Sequence, residues 1–146
     1  MNTRKNRRRL RVEQLESRRL LAGDVAAIAF DGDLVITGDA EDNGVVISRT
    51  VDGIYSVAGY DKGGSPTTIN GDVQALFNNV TGGLRIDLVR GDDGLRLGAR
   101  YSTGPTVIDG PLSIDMGPGR NTLGVGRLTS GAVLTYLSPV SVAEDL

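Results

Sequence analysis

The chain has 146 residues, with 18 Asp or Glu against 16 Lys or Arg and a formal net charge of −2 at neutral pH. It contains no cysteine, histidine or tryptophan, which excludes disulfides, thiolate or imidazole metal sites and Ser-His-Asp catalysis. Four tyrosines and two phenylalanines leave little material for stacking bases or sugars. The length allows one domain, and the composition argues against most enzymes.

The charges divide the chain into two opposite parts. Residues 1–19 carry eight Lys or Arg against two Glu, a net charge of +6, whereas residues 20–146 carry a net charge of −8. Residues 7–21 lack Gly and Pro, which predicts a helix that Gly23 ends. Its apolar positions form no continuous face, so we expect a receptor or a membrane to order it. We therefore predict a basic sorting segment over residues 1–24 and an all-β body over residues 25–146.

The body shows apolar residues that alternate with polar or small ones, which is typical of half-buried strands. The alternating positions are Leu34 and Ile36, Val45 and Ile47, Leu84 with Ile86 and Leu88, Leu95 and Leu97, Leu112 with Ile114 and Met116, and Leu123 and Val125. Between them, dipeptides such as Asp-Gly, Asn-Gly and Gly-Pro predict tight turns, and the 21 glycines of the chain fit such a body.

The body also contains an internal repeat. Residues 84–97, LRIDLVRGDDGLRL, align without gaps with residues 112–125, LSIDMGPGRNTLGV, and residues 34–47, LVITGDAEDNGVVI, form a looser third copy. Each copy is a predicted strand, turn and strand, which buries its apolar face only when copies stack or pair. The favoured architecture is a short β-solenoid of the β-roll or β-helix type, and the alternative is an antiparallel β-sandwich.

The heptapeptide at residues 15–21, LESRRLL, resembles the LEPR-XLL motif found near the N-terminus of exported or surface proteins of planctomycete bacteria. Arg19 occupies the free position of the motif, and Ser17 stands where the motif has Pro. The matching residues are Leu15, Glu16, Arg18, Leu20 and Leu21. The resemblance implies a sorting signal, contact with an export or sorting machinery, and an extracellular or cell-surface location.

The turns of the repeat resemble degraded copies of the RTX nonapeptide Gly-Gly-x-Gly-x-Asp-x-U-x, in which U is a large apolar residue. Residues 91–95 and 117–123 each supply part of that pattern. The resemblance implies calcium, for which the candidate ligands are Asp92, Asp93 and Asn121. Calcium takes about six to eight oxygen ligands, which two incomplete motifs do not supply. We therefore predict no cofactor and keep calcium as the alternative.

Two further acidic sets are candidate sites. Residues 39–44, DAEDNG, match the start of a calcium loop, but Thr50 stands where the loop requires Glu, so an acidic turn is the favoured interpretation. Asp87 and Asp115 occupy equivalent outward positions of the repeat, and direct stacking would place their carboxylates about 5 Å apart. A paired-carboxylate glycosidase or lyase would use such a pair. Equivalent acids on a repeat more often form a solvated face, so no catalytic residue is predicted.

The acidic, aromatic-poor body argues against a nucleic-acid partner, and no apolar stretch is long enough to span a membrane. We expect a non-catalytic, exported structural or surface-display protein. Its β-repeats are expected to pair with a second copy or with similar repeat proteins. Two alternatives stay open: a calcium-binding RTX-like β-roll, and a carbohydrate-binding or carbohydrate-cleaving β-helix protein.

Overall fold

The computed structural model describes residues 23–50, 52–62, 64, 66–98, 106–126, 128–130, 134–136 and 141–143. The regular elements of these residues are strands, so the predicted all-β body is confirmed. The sorting motif at residues 15–21 and the helix predicted over residues 7–21 lie outside the described residues.

Fourteen strands follow one another along the described part of the chain. They are β1 (Asp24–Phe30), β2 (Asp33–Thr37), β3 (Gly44–Arg49), β4 (Tyr55–Gly59), β5 (Thr68–Ile69), β6 (Gln74–Phe77), β7 (Leu84–Asp87), β8 (Gly94–Leu97), β9 (Thr106–Ile108), β10 (Leu112–Asp115), β11 (Thr122–Val125), β12 (Leu128–Ser130), β13 (Leu134–Tyr136) and β14 (Ser141–Ala143).

The strands form two six-stranded sheets and one two-stranded sheet. The first sheet has the order β13-β10-β7-β2-β1-β5, the second has the order β14-β11-β8-β3-β4-β6, and β9 pairs with β12. Among the described strands, antiparallel pairing joins β1 to β2, β3 to β4 and β4 to β6, while the other named strands pair in parallel. Two sheets that share one core fit the predicted sandwich-like alternative, but most of their strand pairs are parallel.

The parallel strands pair in the register that the repeat alignment predicts. Leu112 of β10 lies opposite Leu84 of β7, and β8 and β11 pair at the same offset. The looser copy at residues 34–47 pairs in the same register: Leu34 of β2 lies opposite Leu84, and β3 pairs with β8 at the corresponding positions. Since side chains alternate between the two faces of a strand, this register keeps the apolar positions of every copy on one face.

Columns of aliphatic side chains fill the space between the two sheets. Burying such a side chain contributes about 1.5–3 kcal/mol, so these columns are the main source of stability. They consist of Leu34, Leu84 and Leu112, of Ile36, Ile86 and Ile114, of Val45, Leu95 and Leu123, and of Ile47 and Leu97, each at most 3% exposed.

Antiparallel strands cover one end of the parallel stack. β1 folds back on β2 through a two-residue turn in which Asp31 and Gly32 have φ of 51° and 84°. Positive φ at both central residues is what a type I′ hairpin turn requires. β4 pairs antiparallel with β3, so in each sheet an antiparallel strand lies beside the first parallel strand.

The side chain of Asn70 closes part of the outer edge of β1. Its Oδ1 accepts a hydrogen bond from the N–H of Ala27 at 2.9 Å, and its Nδ2 donates to the carbonyl oxygen of Ala27 at 2.8 Å. The amide thus makes the two hydrogen bonds that a neighbouring strand would make. This edge is protected against pairing with another chain at Ala27.

The turn between β7 and β8 holds a valine in a strained conformation. Val89 has a φ of 66°, a region in which a β-branched residue is a clear outlier. Gly117, at the aligned position of the next copy, has a φ of 64°. The turn therefore requires a positive φ, which the later copy supplies with glycine.

We predict that Val89→Gly raises the free energy of unfolding by about 0.5–1 kcal/mol. Relief of left-handed strain is worth about 1–2 kcal/mol, and the greater backbone entropy of glycine in the unfolded chain offsets part of it. Urea unfolding of both proteins measures the difference. The matched control is Val107→Gly in β9, which should destabilise because Val107 is similarly exposed, at 38% against 41% for Val89, but has no positive φ. Equal destabilisation by both substitutions would contradict the strain at Val89.

Candidate functional site

Three buried polar residues directly precede β3, β8 and β11, namely Asn43, Asp93 and Asn121. They have exposed fractions of 0%, 0% and 4%. Because the three strands pair in parallel and in register, the three side chains lie one above the other inside the stack. We call this set the polar ladder.

The polar ladder is connected by hydrogen bonds from main chain to side chain. The N–H of Asn43 donates to Oδ1 of Asp93 at 2.8 Å, and the N–H of Asp93 donates to Oδ1 of Asn121 at 2.9 Å. The amide of Asn121 donates in turn to the carbonyl oxygens of Met116 and Gly117 at 2.9 and 2.8 Å. These bonds satisfy main-chain groups that the turn would otherwise bury unpaired.

Asp93 differs from its two neighbours because a carboxylate has no donor. Its Oδ2 is buried and has no hydrogen-bond partner among the described residues. Burial raises the pKa of Asp93 from its ordinary value of 3.8 to about 6. Hydrogen bonds from Asn43 and the charge of Lys62 oppose that rise in pKa, whereas the charge of Asp42 adds to it. Compared with the unfolded chain, the folded chain therefore stabilises the protonated form of Asp93 relative to its ionised form.

The segment after β4 packs across the outside of the polar ladder. The hydroxyl of Tyr60 lies against Gly94, so that a Cβ at position 94 would collide with it. Lys62 Nζ donates to the carbonyl oxygen of Asp93 at 2.9 Å and to Oγ1 of Thr122 at 3.1 Å. This segment therefore bridges two successive copies, and its contacts explain why β8 begins with glycine.

Asp92, the remaining candidate calcium ligand, lies on the solvent side of the same turn. Its Oδ1 accepts the N–H of Arg120 at 2.8 Å, and its own N–H donates to Oδ1 of Asp42 at 2.8 Å. Asp42 and Asp92 thus form an outer ladder that parallels the buried one. The structure brings Asp93 and Asn121 into contact and places Asp92 beside them, outside the core. Within the described ranges, no group of three or more Asp, Glu, His or Cys is arranged to hold a metal ion.

The other acidic candidates also bind main-chain N–H groups. Asp39 accepts from the N–H of Glu41 at 3.0 Å through Oδ1, as expected of a turn. Asp87 and Asp115 lie opposite each other in adjacent parallel strands, which is the juxtaposition that the repeat predicted. Each accepts the N–H of the residue two positions later, at 3.0 Å for Asp87 and 2.9 Å for Asp115.

Sequence reasoning did not identify Tyr60 and Lys62 as neighbours of the candidate site. Both lie outside the repeat, so no alignment relates them to Asp93. The one sequence signal is the glycine that starts β3 and β8, because Gly44 and Gly94 both leave room for the Tyr60 side chain.

We predict that the stability of the fold falls as the pH rises through about 6. Since the pKa of Asp93 in the folded chain exceeds its ordinary value of 3.8, protonation stabilises the folded state. This contribution is complete below pH 3.8 and is lost as the pH rises through about 6. The loss corresponds to about 3 kcal/mol.

The variant Asp93→Asn should lack this loss and should exceed the parent chain in stability by up to about 3 kcal/mol at about pH 8. An amide stays neutral and supplies the donor that Asn121 has at the equivalent place. Urea unfolding across the pH range measures the effect, with Asp92→Asn as the matched exposed control that retains the pH dependence. The same pH dependence in the parent chain and in Asp93→Asn would refute the assignment to this residue.

The comparisons with known proteins concern the N-terminal segment. Residues 6–25 match the model of a family described as planctomycete extracellular. The match includes the heptapeptide at residues 15–21 and confirms both the planctomycete N-terminal motif and an extracellular or cell-surface location. No curated protein and no solved structure matches the chain. None of the described elements is a helix with the length and hydropathy needed to cross a bilayer. The chain is therefore similar to planctomycete extracellular proteins over its N-terminal segment.

Proposed function

We propose that this chain is a non-catalytic structural module of the cell surface or extracellular space, that its body is a short β-solenoid, and that it self-associates through strand edges. The observation that carries the proposal is the parallel, in-register pairing of successive copies. Such a body offers an elongated scaffold built from turns and aliphatic columns.

The path of the chain supports a solenoid. In each copy the chain runs from the first sheet through one turn into the second sheet, from β2 to β3, from β7 to β8 and from β10 to β11. Each pass then stacks on the previous one by parallel pairing. In an antiparallel sandwich, neighbouring strands of one sheet would instead be joined by hairpins.

A third parallel pair supports the same interpretation. β9 and β12 follow β8 and β11 in their copies and pair in parallel with each other. Arg49 anchors β9 to the second sheet, because its Nη1 lies 2.8 Å from Oδ2 of Asp109 and 3.0 Å from the carbonyl oxygen of Val107. The hydroxyl of Tyr55 donates to the same carbonyl at 3.1 Å. Each of these two copies thus contributes three strands, one to each of the three sheets.

The polar side chains support a structural role. The carboxylates of the turns accept main-chain N–H groups, which orders the turns. The acids concerned are Asp39, Asp42, Asp87, Asp92 and Asp115. Asp93 is enclosed in the core, out of reach of a substrate.

A calcium-binding β-roll is the second candidate, which the outer ladder favours because Asp42 and Asp92 place carboxylates on successive turns. Oδ1 of each of these acids already accepts a main-chain N–H, so calcium would bind through Oδ2 or replace that hydrogen bond. A carbohydrate-directed protein is the third candidate, and it would use the adjacent pair Asp87 and Asp115.

The structural proposal predicts that the full chain folds equally well with and without calcium. We expect the same far-ultraviolet circular dichroism spectrum and the same thermal midpoint in chelator and in millimolar calcium. A gain in β-structure or in midpoint on adding calcium would overturn this proposal in favour of the β-roll. The matched variant Asp92→Asn separates the two cases, because it abolishes such a gain only if Asp92 is a ligand.

The role of the sorting segment is tested by expression in a planctomycete host. We expect the parent chain outside the cytoplasm and the double substitution Leu20→Asp with Leu21→Asp inside it. The control is Ser17→Pro, which completes the motif and should leave export unchanged. Export of the double variant at the parent level would contradict a sorting role for these residues.

A further inference from the structure

β6 ends the second sheet and has β4 on one side only. The N–H of Gly59 donates to the carbonyl oxygen of Val73 at 3.1 Å, which sets the hydrogen-bonding phase of this antiparallel pair. Since alternate residues of a strand direct their main-chain groups to the same neighbour, Ala75 bonds toward β4. The main-chain N–H and C=O groups of Gln74 and Leu76 are therefore directed to the free edge, with which no described strand pairs.

This edge lacks the usual protection against pairing with another chain. Natural edge strands carry charges, prolines or bulges that discourage such pairing. Residues 73–84 contain no charged residue and no proline. Val73 is 76% exposed and Leu76 is 64% exposed. The edge of β1 differs, because Asn70 occupies it at Ala27.

The charge distribution favours a second copy of the chain as the occupant of this edge. Residues 20–146 carry a net charge of −8, so two copies repel unless they meet through an uncharged surface, and β6 provides one. An antiparallel pair of identical strands is related by a two-fold axis, which is the commonest symmetry of soluble oligomers. We propose that two copies of this chain associate by pairing β6 antiparallel to β6.

The free main-chain groups restrict the register of that pair. Gln74 and Leu76 must lie opposite residues of the second copy whose main-chain N–H and C=O groups also point to the free edge. Only such residues can form hydrogen bonds across the interface. A two-fold axis at Leu76 satisfies this condition. It places Leu76 opposite Leu76 of the second copy and the Gln74 amide opposite that of Asn78, all on the exposed outer face. On the inner face it places the half-buried Phe77 opposite Ala75, so the core continues across the axis.

This inference rests on the self-association in the proposed function and specifies which edge is used. A four-residue strand buries less surface than a standard protein interface. We therefore expect a reversible dimer that dissociates on dilution. The second sheets of the two copies would then form one continuous sheet.

Sedimentation velocity of the full chain over a range of concentrations tests the inference. We expect a monomer-dimer equilibrium for the parent chain and at least a tenfold weaker association for Leu76→Lys, because the two-fold axis places the two lysines opposite each other. The matched control is Ile28→Lys, which adds the same charge at a site that is 58% exposed on the first sheet. It should associate as the parent chain does, and circular dichroism verifies that both variants fold.

A second measurement uses the absence of cysteine from the chain. The proposed register brings the two Leu76 Cα atoms to about 5.5 Å, within the range of a disulfide. The variant Leu76→Cys should therefore cross-link on mild oxidation, and Ile28→Cys should not. If the parent chain self-associates and Leu76→Lys associates equally well, the β6 interface is wrong, but self-association itself is not contradicted. A parent chain that stays monomeric at all concentrations would overturn both.

Discussion

The polar ladder of Asn43, Asp93 and Asn121 links the register of the parallel strands to the conformation of the turns. Each main-chain N–H finds the side-chain oxygen of the next copy only when equivalent residues are stacked directly above one another. A slip by one residue would break these bonds inside the core and would turn the aliphatic columns toward solvent. The hydrogen bonds of the polar ladder and the burial of the aliphatic columns are therefore satisfied by the same strand register. Because both require it, this register is favoured over the other pairings that short, similar strands allow.

The turn chemistry follows from this constraint. Each of the three turns ends in an inward amide or acid that precedes the strand of the second sheet. The turns before β3 and β8 also carry an outward acid that accepts an N–H, and the turns before β8 and β11 contain residues with positive φ. These are the residue types of the calcium-binding nonapeptide, which accounts for the resemblance at residues 91–95 and 117–123. Here the outward Asp92 and the inward Asp93 bind main-chain N–H groups of the neighbouring copies. The geometry of the turn itself thus explains the resemblance.

Much of this fold could be predicted from the sequence, because the repeat and the period of two describe local rules that the structure obeys. The inward position of Asp93 could also be inferred, since it has the same parity as Leu95 and Leu97 in the following strand. From its place in the metal motif, Asp93 is instead predicted as a candidate calcium ligand, and the ladder is not predicted. Contacts between the repeat and other segments could not be inferred. Tyr60 against Gly94 depends on tertiary packing, for which the sequence holds no periodic signal.

The antiparallel strands β1 and β4 determine which strand edges are available for pairing with another chain at the covered end of the stack. A parallel copy could stack on β2 and β3 only if β1 and β4 were absent, because those strands already occupy the edges. Growth of the stack by another parallel copy is thus blocked at this end. Any further strand added to the second sheet there must join β6, whose free groups are those of Gln74 and Leu76. Antiparallel pairing of identical strands satisfies those groups symmetrically and closes the edge, so it ends in a dimer, whereas an open stack would continue.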